Sequence, residues 1–330
     1  MFSVKKIAYC VCLSLTLPLA STAFADGVTL PAPTGVVWEG QSPIRLNPFQ
    51  RIESHFDKIS FHYATESVNL VNGWDGNEHA SNETAAREWK ALKAQPITAS
   101  LPGQGQAPSN FYNSYVTVDG VRYKLWQFHF HTHSEHTLGT EGEGTPYEGE
   151  VHFVHVKLHS DGTPYCIGEP NSLLVIGAFL TKPHRGHPAS VNGLTKVLNG
   201  TLPSKASESP VRVENIDLAK ILPKNSLSWR YDGSLTAPTT VKTGVANNAA
   251  TGCITTYGNT SIYSSDAAYQ LTTAEDPKNG IFPEVVSWVV LQKPIVLTDG
   301  QIQALETAVG DNARPVQDAH GRKVNFSFTE

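Results

Sequence analysis

Two runs constrain this chain more than any others: Arg122 to His131 and Val151 to His159, each alternating between faces with a mostly apolar side. Alternation at a period of two marks a half-buried strand. In an extended strand successive side chains point to opposite faces, so His129 and His131 project from one side. Glu150-Val151-His152-Phe153-Val154 alternates the same way and can pair beside the first run, where its histidine completes a three-imidazole face. Three neutral imidazoles with the fourth tetrahedral position open form the ligand set of a catalytic zinc, not a structural one. Each histidine alone reads better as a hydrogen-bonded core residue. The grouping favours metal.

Residues 1–25 read as an export signal. Lys5 and Lys6 precede an apolar stretch from Ile7 to Ala20, and Ala23-Phe24-Ala25 offers a cleavage site before Asp26. The apolar stretch is too short for a convincing membrane span, with an uncleaved anchor as the alternative, and nothing later in the chain is long enough. Cys10 and Cys12 leave with the signal, so the mature chain keeps Cys166 and Cys253, an even number suited to one disulfide in an exported protein. Removing two lysines takes Lys plus Arg from 25 to 23 against 30 acids, so the net charge moves from −5 to −7. Such a chain is acidic and lacks a polybasic stripe for nucleic acid. The expected compartment is the periplasm, or the exterior of the cell.

Short alternating runs and frequent glycine and proline predict a mostly-β fold in one domain over residues 26–330. Further strands are expected at Ile59 to Ala64, Tyr115 to Val118, Leu173 to Leu180, Glu284 to Leu291 and Lys323 to Phe328. Asp119-Gly120 reads as a tight hairpin turn. Leu173 to Phe179 is apolar on both faces, as in the middle of a large sheet. Peripheral helices are expected at Thr84 to Lys93, Ala189 to Leu198, Ile216 to Ile221 and Gly300 to Val309, the last with a capping box from Thr298 and Gln301. Residues 241–282 lack an apolar period and read as a surface insertion, and 80–108 as another that is partly helical.

Around the histidines the chain reads Tyr123-Lys124-Leu125-Trp126-Gln127-Phe128-His129-Phe130-His131, then Glu150-Val151-His152-Phe153-Val154-His155. Gln41-Ser42-Pro43-Ile44 precedes these; Tyr231-Asp232-Gly233-Ser234-Leu235-Thr236-Ala237-Pro238, Val286-Ser287-Trp288 and Asn312-Ala313-Arg314-Pro315 follow in order. This ordered set resembles the α-class carbonic anhydrases over about residues 41–328. The resemblance implies a single domain around a large, mainly antiparallel twisted sheet with short helices outside. It implies Zn²⁺ on His129, His131 and His152, and zinc-hydroxide attack on CO₂ giving bicarbonate and a proton. Gln127 and Glu150 would accept ring N–H bonds from His129 and His152, and the Asn312 backbone carbonyl from His131. Thr236 would orient the attacking group and donate to Glu135. Val154, Val175, Leu235, Val286 and Trp288 match the family's apolar pocket, though each also reads as plain core. His136 and His155 match structural positions, and His133 is expected at the rim.

The pattern departs from the family in places. Fast members carry a proton-shuttling histidine after Asn-Gly, where this chain has Asn72-Gly73-Trp74. Indole does not titrate near neutral pH, and His79 is the nearby substitute. Ala237 replaces a threonine or histidine after the gatekeeper. The cysteine common before Gln41-Ser42-Pro43 is absent, so Cys166 is the candidate partner for Cys253. Two other functions stay open: a non-catalytic binding module on the same scaffold, and a zinc esterase.

Overall fold

The computed structural model describes residues 40–50, 57–72, 97–100, 112–162, 164–165, 171–184, 188–189, 191–204, 209–236, 241–242, 255–257, 260–262 and 286–329. Its strands are β1 (Arg45–Leu46), β2 (Asp57–His62), β3 (Thr65–Asn72), β4 (Ile97–Ser100), β5 (Tyr115–Val118), β6 (Val121–His131), β7 (Thr137–Leu138), β8 (Thr145–Pro146) and β9 (Gly149–Lys157). After them come β10 (Leu173–Thr181), helix α1 (Thr195–Leu198), β11 (Val211–Asp217), a 3₁₀ turn at Leu218–Lys220 and β12 (Ser226–Gly233). The chain closes with β13 (Val241–Lys242), β14 (Thr255–Tyr257), β15 (Thr260–Ile262), β16 (Val286–Val296), helix α2 (Asp299–Val309) and β17 (Asn325–Thr329).

The fold is mostly β, as expected. Among the described residues, eleven strands form one sheet in the order β11-β3-β4-β6-β5-β2-β17-β12-β16-β10-β9, with β6 also pairing β9. The sheet is mixed: β10–β16 and β2–β17 run parallel, and its other pairings are antiparallel. Asp119 and Gly120 join β5 to β6 with φ of 49° and 81°, the double positive φ that this hairpin turn requires. β10 is buried along its whole length between β9 and β16, which accounts for its unbroken apolar run.

Strand parity divides the core in two. Phe128, Phe130, Val151, Phe153, Leu174 and Ile176 belong to one cluster, which also takes in Ile302, Leu305 and Val309 of α2. Val154, Val156, Leu173, Val175, Trp229, Tyr231, Val286 and Trp288 form the other, on the side from which His152 projects. Side chains on both faces are thereby withdrawn from water, at about 25 cal/mol per Å² of apolar area.

Three expectations need correction. Residues 80–108 are not wholly an insertion, because Ile97–Ser100 forms β4 inside the main sheet, with Thr98 opposite His129. Ile97 and Ala99 alternate into the core and carry that strand. Ile216 to Ile221 is not a helix: Ile216 and Asp217 pair with Glu66 and Thr65, and only a 3₁₀ turn follows. The helix expected over Ala189 to Leu198 shrinks to α1, because Asn192 Oδ1 accepts from Leu194 N and Thr195 Oγ1 from Asn192 N. Those side chains compete for backbone groups that a longer helix would use. Helix α2 carries the expected capping box from Thr298 and Gln301. Thr84 to Lys93 lies outside the described residues. Of 241–282, β13, β14 and β15 are described, and they pair among themselves. Among the described residues no helix is long and apolar enough to cross a membrane.

Candidate metal centre

Strand register assembles the centre. β6 and β9 pair with His129 opposite His152 and His131 opposite Glu150. A bulge between Leu125 and Gln127 resets the parity of β6, so Gln127, His129 and His131 share the face of Glu150 and His152. The three imidazole centroids lie 4.9 Å (129–131), 5.1 Å (129–152) and 4.7 Å (131–152) apart. One ring nitrogen from each falls within 4.8 Å of the other two. His131 is 4 % exposed and His152 1 % exposed, while His129 is half-buried, so this is the ring nearest solvent.

Burial pulls the His131 pKa down to about 4, with the Glu135 charge opposing. His129 falls well below its ordinary value, first from burial and then from its two histidine neighbours. Both rings are therefore neutral at pH 7, with lone pairs available. His129 Nδ1 lies 2.9 Å from Gln127 Oε1, which leaves its Nε2 free. The Asn312 backbone also faces His131 and holds its pKa up, but both nitrogens of that buried ring lack a closed hydrogen bond.

His152 is governed by Glu150. Burial lowers its pKa, but the Glu150 carboxylate outweighs burial and raises it. Glu150 Oε1 stands 3.1 Å from His152 Nε2, so Nδ1 is the nitrogen left for a ligand. Burial would raise the Glu150 pKa, yet His136 and His152 together hold it well below the carboxylate range. Its oxygens accept from Glu135 N (3.0 Å) and His136 N (2.9 Å), and face His136 Nδ1 at 2.8 Å. Space for this buried anion comes from Gly177 on β10, where a Cβ would stand 2.5 Å from Glu150 Oε1. Glu135 completes the set: Oε1 accepts from Arg314 N at 3.0 Å, and Oε2 lies 3.5 Å from His131 Nε2 and 3.8 Å from His152 Nδ1. Zn²⁺ fits these donors: buried nitrogens without partners, on rings kept neutral or steered by a carboxylate, with acceptors fixing their other sides.

The model of the eukaryotic-type carbonic anhydrase family matches residues 37–245. The chain belongs to that family. It is 28 % identical over 218 residues to a putative carbonic anhydrase 3 of Caenorhabditis elegans, a match covering 61 % of this chain and 63 % of that protein. With a carbonic anhydrase of Klebsiella pneumoniae it shares 23 % identity over 285 residues, 86 % of this chain and 78 % of the relative. The fold is that of the α-carbonic anhydrase of Thermovibrio ammonificans solved with the inhibitor sulfanilamide: TM-score 0.55, 24 % identity, 88 % of this chain and 87 % of that one. Family and fold together support carbon dioxide hydration in general.

Against that family pattern, the remaining residues fall as follows. Val154, Val175 and Trp288 stand in one row across β9, β10 and β16, and Val286 and Leu235 join the same cluster. Trp288 packs edge-on to His152, 4.9 Å between centroids, so the apolar cluster abuts the metal face. Thr236 is 6 % exposed and follows β12, but no hydrogen bond joins it to Glu135 here. Glu135 Oε2 instead faces the two imidazoles, 3.5 Å from His131 Nε2 and 3.8 Å from His152 Nδ1. His133 is exposed at the rim, 3.6 Å from Asp311. His79, Cys166 and Cys253 lie outside the described residues. Sequence reading passed over Gly177, and set His136 aside as structural although it binds Glu150 directly. The Gly within an otherwise bulky strand was the available signal for the first.

Proposed function

We propose that this protein catalyses the reversible hydration of CO₂ to bicarbonate and a proton, with Zn²⁺ held by His129 Nε2, His131 and His152 Nδ1. The observation that carries this reading is the convergence of three imidazoles, two of them deeply buried with unpartnered nitrogens. When bound, Zn²⁺ supplies Lewis acidity that brings a solvent proton into the neutral pH range, and carbonic anhydrase is itself the standard example of that effect.

The chain's own residues supply the rest. Gln127 and Glu150 fix ring orientation, so the ligand lone pairs are aimed before metal arrives. CO₂ offers no strong hydrogen-bonding handle, and the row of Val154, Val175 and Trp288, with Val286 and Leu235, gives it apolar walls beside the rings. Thr236 orients the attacking group, and Glu135 accepts a hydrogen bond from the Thr236 hydroxyl, with Oε2 turned from the imidazoles to do so. This is a positioning effect.

The mature protein is proposed to be exported, to the periplasm or the cell exterior, after loss of residues 1–25, with Cys166 bonded to Cys253. The function is tested by stopped-flow CO₂ hydration on zinc-replete protein, with His129→Ala as the paired control. Activity in the first and none in the second is the expected result. Equal rates would refute the proposal.

A further inference from the structure

The Gln41-Ser42-Pro43-Ile44 motif is distant in sequence from every residue used so far, yet Ser42 is fully buried beside the site. Its hydrogen bonds lead to each polar part of the centre. Ser42 N donates to Ser234 Oγ (2.9 Å), and Ser42 Oγ accepts from Ser234 N (3.1 Å), a reciprocal pair that fixes the segment leading to Leu235 and Thr236. The same Oγ accepts from the Tyr231 hydroxyl at 3.1 Å. That hydroxyl lies 2.7 Å from His136 Nε2, and His136 Nδ1 reaches Glu150, the carboxylate against His152. Ser42 O accepts from Arg314 Nη1 at 2.6 Å, and the Arg314 backbone N–H holds Glu135 Oε1.

We infer that Ser42 is a positioning residue that sets the Thr236 segment relative to Glu135 and the three histidines. The inference rests on the hydration reading for what Thr236 acts upon. Its structural basis is independent of that: one side chain and its two backbone groups bond Ser234, Tyr231 and Arg314 at once, while the neighbouring Gln41 is held separately by Arg314 Nη1 (3.4 Å) and Arg322 Nη2 (2.5 Å). Trp288 Nε1 donates to Ser234 O at 2.9 Å and is a second polar anchor of that segment among the described residues. A single indole bond to one carbonyl restrains position but leaves rotation about it free, whereas the reciprocal Ser42–Ser234 pair fixes both. The histidines do not need Ser42, because Glu150 also takes two backbone N–H bonds and Gln127 holds His129 unaided.

The test compares the unaltered protein with Ser42→Ala and Ser234→Ala; the latter deletes the Ser42 N–Ser234 Oγ bond and keeps Ser42. Three quantities are read: zinc Kd by chelator competition, CO₂ turnover per bound zinc, and amide exchange at residues 234–236 in metal-free protein. Misplacing an orienting group by a fraction of an ångström predicts turnover per zinc lower by about tenfold or more with KM little changed. Zinc Kd is expected to move by less than about threefold, since the ligands keep their own acceptors. Exchange at 234–236 is expected to quicken about tenfold while that at 129–131 holds. Turnover per zinc and exchange at 234–236 both within about threefold of the unaltered protein would overturn the inference. If Ser42→Ala fails to fold, Ser234→Ala decides by the same limits. An unaltered protein that binds zinc but hydrates no CO₂ sinks the hydration reading instead, and the metal-free exchange data still judge Ser42.

Discussion

Gly177→Ala is a one-methyl change whose sign separates this account from ordinary strand energetics. Glycine inside a strand is less favourable than alanine by about 0.5–1 kcal/mol, so an unconstrained site would gain stability from the exchange. Here the added Cβ would stand 2.5 Å from Glu150 Oε1, about 1 Å inside ordinary van der Waals separation. The carboxylate has little freedom to retreat: it is fully buried and held by the Glu135 and His136 amides and the His136 ring. Losing one such charged hydrogen bond costs about 1.5–3 kcal/mol, and forcing β9 from β10 costs a similar amount. The net expectation is a loss of about 2–5 kcal/mol, seen as a Tm lower by roughly 3–8 °C in a chain of this length. Because Glu150 aims His152, zinc affinity should fall about 10- to 100-fold. Chelator competition and calorimetry on the variant measure both. Equal or greater stability with unchanged zinc Kd would refute the placement of Glu150 against Gly177.

Other consequences can be checked in the same preparations. His155, on the opposite face from the metal ligands, has its pKa pulled to about 3 by burial, with the Leu174 and Phe153 backbone opposing. An unfolded histidine titrates near 6.5, so below that pH the unfolded chain gains a proton that the folded one refuses, removing about 2 kcal/mol by pH 5. Urea unfolding should show this acid loss, and His155→Gln should flatten it; an unaltered pH slope in the variant contradicts the assignment. Glu135→Gln keeps the shape but removes the acceptor charge, so turnover should drop about 100-fold with zinc retained; near-normal turnover would remove Glu135 from the mechanism. With Trp74 where fast relatives carry histidine, proton export should limit turnover, and imidazole-type buffers should accelerate it. A rate independent of buffer concentration argues against that limit.

Local patterning made the strands and the ligand face legible. Tyr115–Val118 appears with its expected bounds, and β6 differs from expectation by one residue, because apolar alternation and the Asp-Gly turn act over a few residues. The parity that grouped His129, His131 and His152 survives because the bulge in β6 falls before Gln127 rather than within the motif. What stayed hidden depends on contacts far apart in the chain. Ile216 carries helix-compatible neighbours but is claimed by pairing with β3, and β4 is revealed as a strand only by its place between β3 and β6. His136 reads only as a structural position; what it braces, Tyr231 and Glu150, lies 95 and 14 residues away. Thr236 shows the converse: the motif puts it just after β12, while its side-chain partner depends on where Glu135 points.

The central claim is that three imidazole nitrogens hold zinc and leave one position to solvent. X-ray absorption at the zinc edge of the loaded protein tests it directly. The account predicts three nitrogen scatterers at about 2.0–2.1 Å with imidazole multiple scattering, and one further light atom that exchanges with added anions. A sulfur ligand, or four nitrogens contributed by the protein and indifferent to anions, would contradict it.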